Sequence, residues 1–184
     1  MPKILSIDVG IKNLSYCYLD AEYTKIKILD WNNLCVTECN SKKMKLEDLT
    51  ELVLQTLQEN FNEDYEADVV LIENQPMLKN GMMKTISVII YTFFNILKMQ
   101  FGNINEVRFI SATNKLKCAK VEIDAAKSTY KDRKKLSIHV AKLYLEKISP
   151  ERVVWFEKQT KADDYSDCLN QAIFYIEKVL KYHV

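Results

Sequence analysis

Glycine and proline are scarce in this 184-residue chain, three of each, which leaves little room for loop-rich architectures. Histidine is scarcer still, with only His139 and His183. The five cysteines (Cys17, Cys35, Cys39, Cys118 and Cys168) are odd in number and contain no Cys-x-x-Cys pair, which argues against both a zinc site and a disulfide framework. No run of 18 apolar residues free of charge occurs, so no membrane span is expected. The opening segment MPKILSIDVG enters an alternating apolar stretch directly. It shows neither the apolar core of a secretory signal nor the Arg/Ser-rich start of a transit peptide. Reduced thiols in a reducing, cytoplasmic compartment are the expectation.

What is present is an ordinary globular balance, 48% hydrophobic and 28% charged, in a chain of one-domain length. A single domain over residues 1–184 is therefore expected. The net charge of +1 hides a strong segregation. Leu46 to Glu73 carries nine acids and no Lys or Arg, whereas Lys115 to Lys135 carries eight basic residues against three acids. A nearly neutral protein with one basic stretch can still bind a polyanion, because the field of one face decides.

The hydrophobic pattern reads as β-β-β-α-β-α-β-α-α. Lys3–Val9, Asn13–Asp20 and Lys25–Val36 alternate and are joined by connections too short for crossover helices, which predicts an antiparallel meander. Asp68–Glu73 and Glu106–Ser111 read as further strands. Leu46–Asn60, Met82–Phe101, Tyr130–Ile148 and Asp163–Tyr182 read as helices. The order predicts an α/β fold, a mixed five-stranded sheet with its first three strands antiparallel and helices on its faces.

Acids stand where burial makes them costly. Asp8 ends an apolar strand just before Val9-Gly10, and Glu73 ends the run Val69-Val70-Leu71-Ile72. Asp163, Asp164 and Asp167 open the last helix, and the i, i+3 spacing of Asp164 and Asp167 puts two carboxylates on one face. Singly, each has an ordinary explanation in helix-dipole pairing or turn chemistry. Together, converging oxygens without His or Cys suit a hard divalent cation, and carboxylate-held Mg²⁺ is the usual machinery for phosphodiester hydrolysis.

Ile7-Asp8-Val9-Gly10, Val70-Leu71-Ile72-Glu73-Asn74-Gln75-Pro76 and Lys161-Ala162-Asp163-Asp164-Tyr165-Ser166-Asp167, in that order, resemble the RuvC-type Holliday-junction resolvases of the ribonuclease-H-like superfamily. The poxvirus branch is the most similar, with the fungal mitochondrial branch also near, and the resemblance runs from residue 3 to about 180. It implies a ribonuclease-H-like fold and a structure-specific endodeoxyribonuclease that resolves four-way junctions by paired cuts, as in viral concatemer processing. It implies Asp8, Glu73, Asp164 and Asp167 as catalytic ligands of two Mg²⁺ ions, with Mn²⁺ substituting. An essential lysine is implied too; Lys134 is favoured over Lys135 and Lys115. Lys115, Lys117, Lys131, Arg133 and Lys135, with Lys120 and Lys127 in the same run, are the expected DNA-binding residues. The resemblance further implies a homodimer formed through Met82–Phe101, which is too apolar for a helix with one wet face; Met83, Ile86, Ile90, Phe94 and Leu97 are the expected contacts. Localisation would be the host cytoplasm for a viral chain and the mitochondrion for a fungal one. The alternatives are a ribonuclease H-type nuclease cleaving RNA–DNA hybrids and a non-catalytic junction-binding domain.

Overall fold

The computed structural model describes residues 2–23, 25–40, 43–76, 80–115, 117, 129–182 and 184. The expected elements are present: β1 (Lys3–Asp8), β2 (Leu14–Ala21), β3 (Ile26–Leu34), α1 (Leu46–Asn60), β4 (Ala67–Asn74), α2 (Gly81–Phe101), β5 (Ile104–Ser111), α3 (Tyr130–Ile148), α4 (Val153–Glu157) and α5 (Ala162–Lys178). The short α4 was not anticipated, and α5 stops at Lys178 instead of running to Tyr182. Asn80 caps α2 by accepting from the Met83 N–H, and Gly102 closes it at φ 68°, a left-handed conformation that costs glycine little. Thr129 and Asp132 form a reciprocal capping box that starts α3.

The five strands lie in the order β3-β2-β1-β4-β5. β1, β2 and β3 pair antiparallel, and β4 and β5 continue from β1 in parallel, so the sheet is mixed as expected. Both faces of the central strands are covered, which explains why β1 and β4 read as nearly continuous apolar runs. Leu5, Ile7, Val70 and Ile72 face α1 and α2, in a core with Leu49, Val53, Leu57, Ile86, Ile90 and Phe94. Ile4, Val69 and Leu71 face α3, α4 and α5, in a core with Val140, Leu145, Leu169 and Ile173. Trp31 of β3 seals that side, stacked on Phe156 of α4 at 5.3 Å and donating its Nε1–H to the Tyr165 carbonyl.

α2 departs from expectation in which way it faces. Ile86, Ile90, Phe94 and Leu97, expected at a contact between subunits, are turned onto the sheet, and Met83 is half-buried against the same core. Ile86, Ile90 and Phe94 form an i, i+4 stripe, the arrangement that an amphipathic helix turns toward a core. The outward face consists of Val88, Ile96 and Met99, between 42 and 84% exposed. By length and composition alone, α2 is the one helix among the described residues that could cross a membrane.

Phe94 is fully buried and meets Phe61 and Phe93 edge-on. Phe94→Ala should therefore cost about 3–5 kcal/mol of stability. Urea unfolding followed by circular dichroism checks the value, and a loss below about 1 kcal/mol would be inconsistent with this helix orientation.

Candidate active site

β1 and β4 are neighbours in parallel register, Ile4 beside Val69 and Ile7 beside Ile72. One step further, Asp8 and Glu73 arrive side by side at the carboxyl ends of the two strands. Because side chains alternate, both point to the α5 face, as Ile4, Val69 and Leu71 do. α5 is fixed above them by Gln171, whose side-chain amide donates to Ser6 Oγ (3.1 Å), the Ile7 carbonyl (3.2 Å) and the Leu71 carbonyl (3.4 Å). Asp167 lies one turn before Gln171 on the same helix face, so the anchor aims its carboxylate at the strand ends.

The point where the acids converge is taken by Lys115 Nζ. It lies 2.5 Å from Asp8 Oδ1, 2.8 Å from Glu73 Oε1 and 3.0 Å from Asp167 Oδ2. Its side chain is 7% exposed, and those of Asp8 and Glu73 are 12% and 8%. β5 lies parallel to β4 and ends at the same edge, and the single 3-10 turn Ala112–Asn114 carries Lys115 in over the acids. Burial alone would lower the amine's pKa. Asp8, Asp167 and Glu73 outweigh it, so Lys115 is held charged well above the usual lysine range. Burial pushes the Asp8 carboxyl the other way, upward, aided by Glu73 and Asp167 and opposed by Lys115. Three carboxylates around one ammonium leave this buried centre with a formal surplus of two negative charges.

Two of the carboxylates are also held from behind. Gln75 Nε2 donates to Glu73 Oε2 and reaches the Val9 carbonyl at 3.5 Å. Ser137 of α3 donates its hydroxyl to Asp167 Oδ1 at 2.6 Å. Gly10 keeps the exit from β1 tight, since a Cβ there would stand 2.1 Å from the Asn13 carbonyl oxygen.

The sequence-selected residues divide into a centre and a rim. Asp8, Glu73 and Asp167 meet at the centre. Asp164, a turn earlier on α5, is half-buried there, and burial together with Asp163 pushes its carboxyl up to about 6. Lys134, the favoured essential lysine, does not reach the centre; it is half-buried and ion-paired with Asp163, with its amine over the Tyr130 ring. Lys117, Lys131, Arg133 and Lys135 are exposed, the last three on the first turns of α3. Lys115 is the displaced member of the DNA-binding set: it stands buried among the acids and not on an open basic face. Lys120, Lys127 and Cys118 lie outside the described residues. Cys17, Cys35, Cys39 and Cys168 are free thiols.

The donor set is all oxygen and anionic, which suits a hard divalent ion. Among the described residues, no group of three His, Cys, Asp or Glu is already arranged around an open coordination point, because Nζ stands where their oxygens meet. A cation could be exchanged there for the amine, since the same three oxygens already surround a positive charge.

Known proteins resemble this chain in sequence and in fold. A family model described as Poxvirus A22 protein matches residues 3–180. The fowlpox virus resolvase, solved with substrate Holliday junction DNA, superposes with a TM-score of 0.66 at 24% identity, covering 97% of this chain and 99% of that one. The yeast mitochondrial Holliday junction resolvase Ydc2 gives 0.60 at 22%, covering 94% and 78%. Thermus thermophilus RuvC gives 0.52 at 12%, covering 95% of each chain. An uncharacterized Acanthamoeba polyphaga mimivirus protein, L451, is 33% identical over 122 residues, 60% of this chain. That match takes in only 29% of the mimivirus protein, so the chain spans less than a third of this relative.

Removing the central amine tests the electrostatics directly. In cation-free buffer at pH 7, Lys115→Met should lose about 3–5 kcal/mol, the cost of leaving buried charges unpaired. Burial and the neighbouring acids then raise the Asp8 carboxyl without the opposing amine, so the native form binds more protons than the unfolded form. Its stability should fall as pH rises from about 4 towards 7, more steeply than in the parent. Thermal melts across that range check the slope, and parallel curves would show that Lys115 does not neutralise the cluster.

Proposed function

Because the chain belongs to the poxvirus A22 protein family, we propose that it is a divalent-metal-dependent endonuclease that resolves four-way DNA junctions by paired cuts. The observation that carries this reading is the convergence of Asp8, Glu73 and Asp167 on a single cation position at the carboxyl ends of β1 and β4. The resolvases of fowlpox virus and yeast mitochondria share the fold that builds such a site. Genome concatemers in the host cytoplasm are the natural substrate if the chain is viral.

Asp8, Glu73 and Asp167 would hold the cation, Mg²⁺ with Mn²⁺ as substitute, and Asp164 stands one turn away as a fourth carboxylate. When bound, such a cation supplies Lewis-acid charge to the attacking and leaving oxygens of a phosphodiester. The protein's own contribution is positional. The sheet ends and α5 fix the acids, and their burial excludes competing water and strengthens every charge interaction among them. Lys115 is the buried lysine among the described residues, and its long stem lets the amine serve a phosphate brought to the acids, opposite the negative charge that grows during cleavage. Lys131, Arg133 and Lys135 present solvated charge on α3, suited to backbone phosphates without reading bases.

A four-way junction needs two symmetric cuts, which a twofold homodimer supplies. The exposed face of α2 is the apolar surface that offers such a contact: Val88, Ile96 and Met99 stand outward on one long helix. A nuclease acting alone on RNA–DNA hybrids has no use for that stripe.

Cleavage of a synthetic four-way junction in Mg²⁺, measured beside duplex, flap and RNA–DNA hybrid, tests the activity. The junction should be cut in preference to the others, and Asp8→Asn, Glu73→Gln or Asp167→Asn should abolish cutting while junction binding in Ca²⁺ stays near that of the parent. Hybrid cleavage in preference to junction cleavage would replace this reading with a ribonuclease H activity. Met99→Lys or Ile96→Lys should convert a dimer into a monomer in light scattering and uncouple the paired cuts. The same mass for parent and variants would remove α2 from the interface.

A further inference from the structure

Each acid at the centre brings one of its two carboxylate oxygens to Lys115. Glu73 turns Oε1 to the amine and receives the Gln75 amide on Oε2. Asp167 turns Oδ2 to the amine and receives the Ser137 hydroxyl on Oδ1. Ser137 is itself committed: Asn170 Nδ2 donates to its Oγ at 3.1 Å and to its carbonyl at 3.0 Å, so the hydroxyl proton is left for Asp167. Asp8 turns Oδ1 to the amine. Directly across the antiparallel ladder from Asp8 stands Ser15, fully buried, with a hydroxyl that has no hydrogen-bond partner. Paired residues in such a ladder carry their side chains on one face with Cβ atoms about 4.5–5.5 Å apart, which is within side-chain reach of a carboxylate.

We propose that Gln75 and Ser137, joined by Ser15 when a cation is bound, form a collar of positioning residues, one neutral donor behind each acid, that keeps one oxygen of every carboxylate aimed at the cation position. The inference rests on the reading that these acids hold a divalent cation. The chemistry of the collar supports it. A lysine or arginine behind each acid would orient the carboxylate but cancel the charge that a divalent cation needs. A hydroxyl or an amide orients it and leaves the surplus of two negative charges intact. The donors come from three separate elements, β2, the segment after β4, and α3, so the acids are aimed by the assembled fold and not by local sequence. Ser15 is the informative member, since a buried hydroxyl without a partner costs stability unless it serves something.

Mn²⁺ binding by the full chain, followed by electron paramagnetic resonance of the free ion, tests the collar without reference to cleavage, and melts without cation report folding separately. Ser15→Ala, Gln75→Met and Ser137→Ala should each weaken Mn²⁺ binding roughly 10-fold, the usual effect of removing a partner behind a metal ligand. Ser15→Ala should at the same time melt at or above the parent's temperature, because only an unsatisfied hydroxyl is lost. Stability and cation affinity then move in opposite directions, which no general structural defect produces. Folded variants that bind Mn²⁺ within about twofold of the parent would overturn the collar and leave the metal reading standing, given the 10-fold effect expected. A parent chain that binds no Mn²⁺ at millimolar concentration would overturn the metal reading, and the collar with it.

Discussion

Carboxylates gathered at the buried edge of a sheet require a cation among them, and much of this molecule follows from that constraint. Two unit charges of the same sign 4 Å apart repel by about 4 kcal/mol at an effective dielectric constant near 20. Three such groups around one point would force the strand ends apart or stay protonated. Lys115 meets the requirement within the chain, its ammonium touching all three. Its position fixes the topology around it. β5 must lie parallel to β4 so that both end at the same edge, and only a single 3-10 turn separates the strand from the lysine. The amine satisfies the site without completing it, since one positive charge faces three negative ones.

The same centre explains an unusual share of buried polar side chains. Ser6, Gln171, Ser137 and Asn170 are all buried on the α5 side, where an ordinary core would place aliphatic groups. Gln171 secures α5 to two strand carbonyls, which sets the height of Asp167 above Asp8 and Glu73. Ser137 and Asn170 link α3 to α5 beside the same acid. The opposite face of the sheet, under α1 and α2, is packed mainly by aliphatic and aromatic side chains, with Ser87 as a buried hydroxyl bonded within its own helix. One layer is built for stability and the other for holding charge in place.

How much of this was legible in the sequence depends on how local each signal is. Asp8 and Glu73 were readable because an acid ending an apolar strand conflicts with the strand's own pattern, and the conflict is visible within a few residues. Asp164 and Asp167 were readable through helical spacing, and the mixed sheet through connection lengths. Lys115 was misplaced because composition grouped it with the lysines that follow, whereas its role is set by the parallel pairing of β4 and β5, a long-range fact. Lys134 attracted attention by lying in the densest basic run, yet its partner Asp163 sits 29 residues away on another helix. α2 failed differently. A helix apolar on nearly all sides carries no phase, so its inward stripe of Ile86, Ile90 and Phe94 could not be told from its outward stripe of Val88, Ile96 and Met99.

These displacements separate two kinds of positive charge. Lys117, Lys131 and Lys135 keep their solvation, and exposed charges of this kind act over about 10 Å in ordinary salt, enough to attract and orient a polyanion. Lys115 has given up nearly all of its solvation and is compensated by the acids around it. A phosphate approaching the centre meets net negative charge there and is held off unless more positive charge enters with it. Under the proposed function, the rim would bind DNA by itself, whereas the centre would accept a phosphodiester only once its charge surplus had been neutralised. Binding and cutting would thus be separated by the sign of the local field, with the basic turns of α3 on one side of that division and the ends of β1 and β4 on the other.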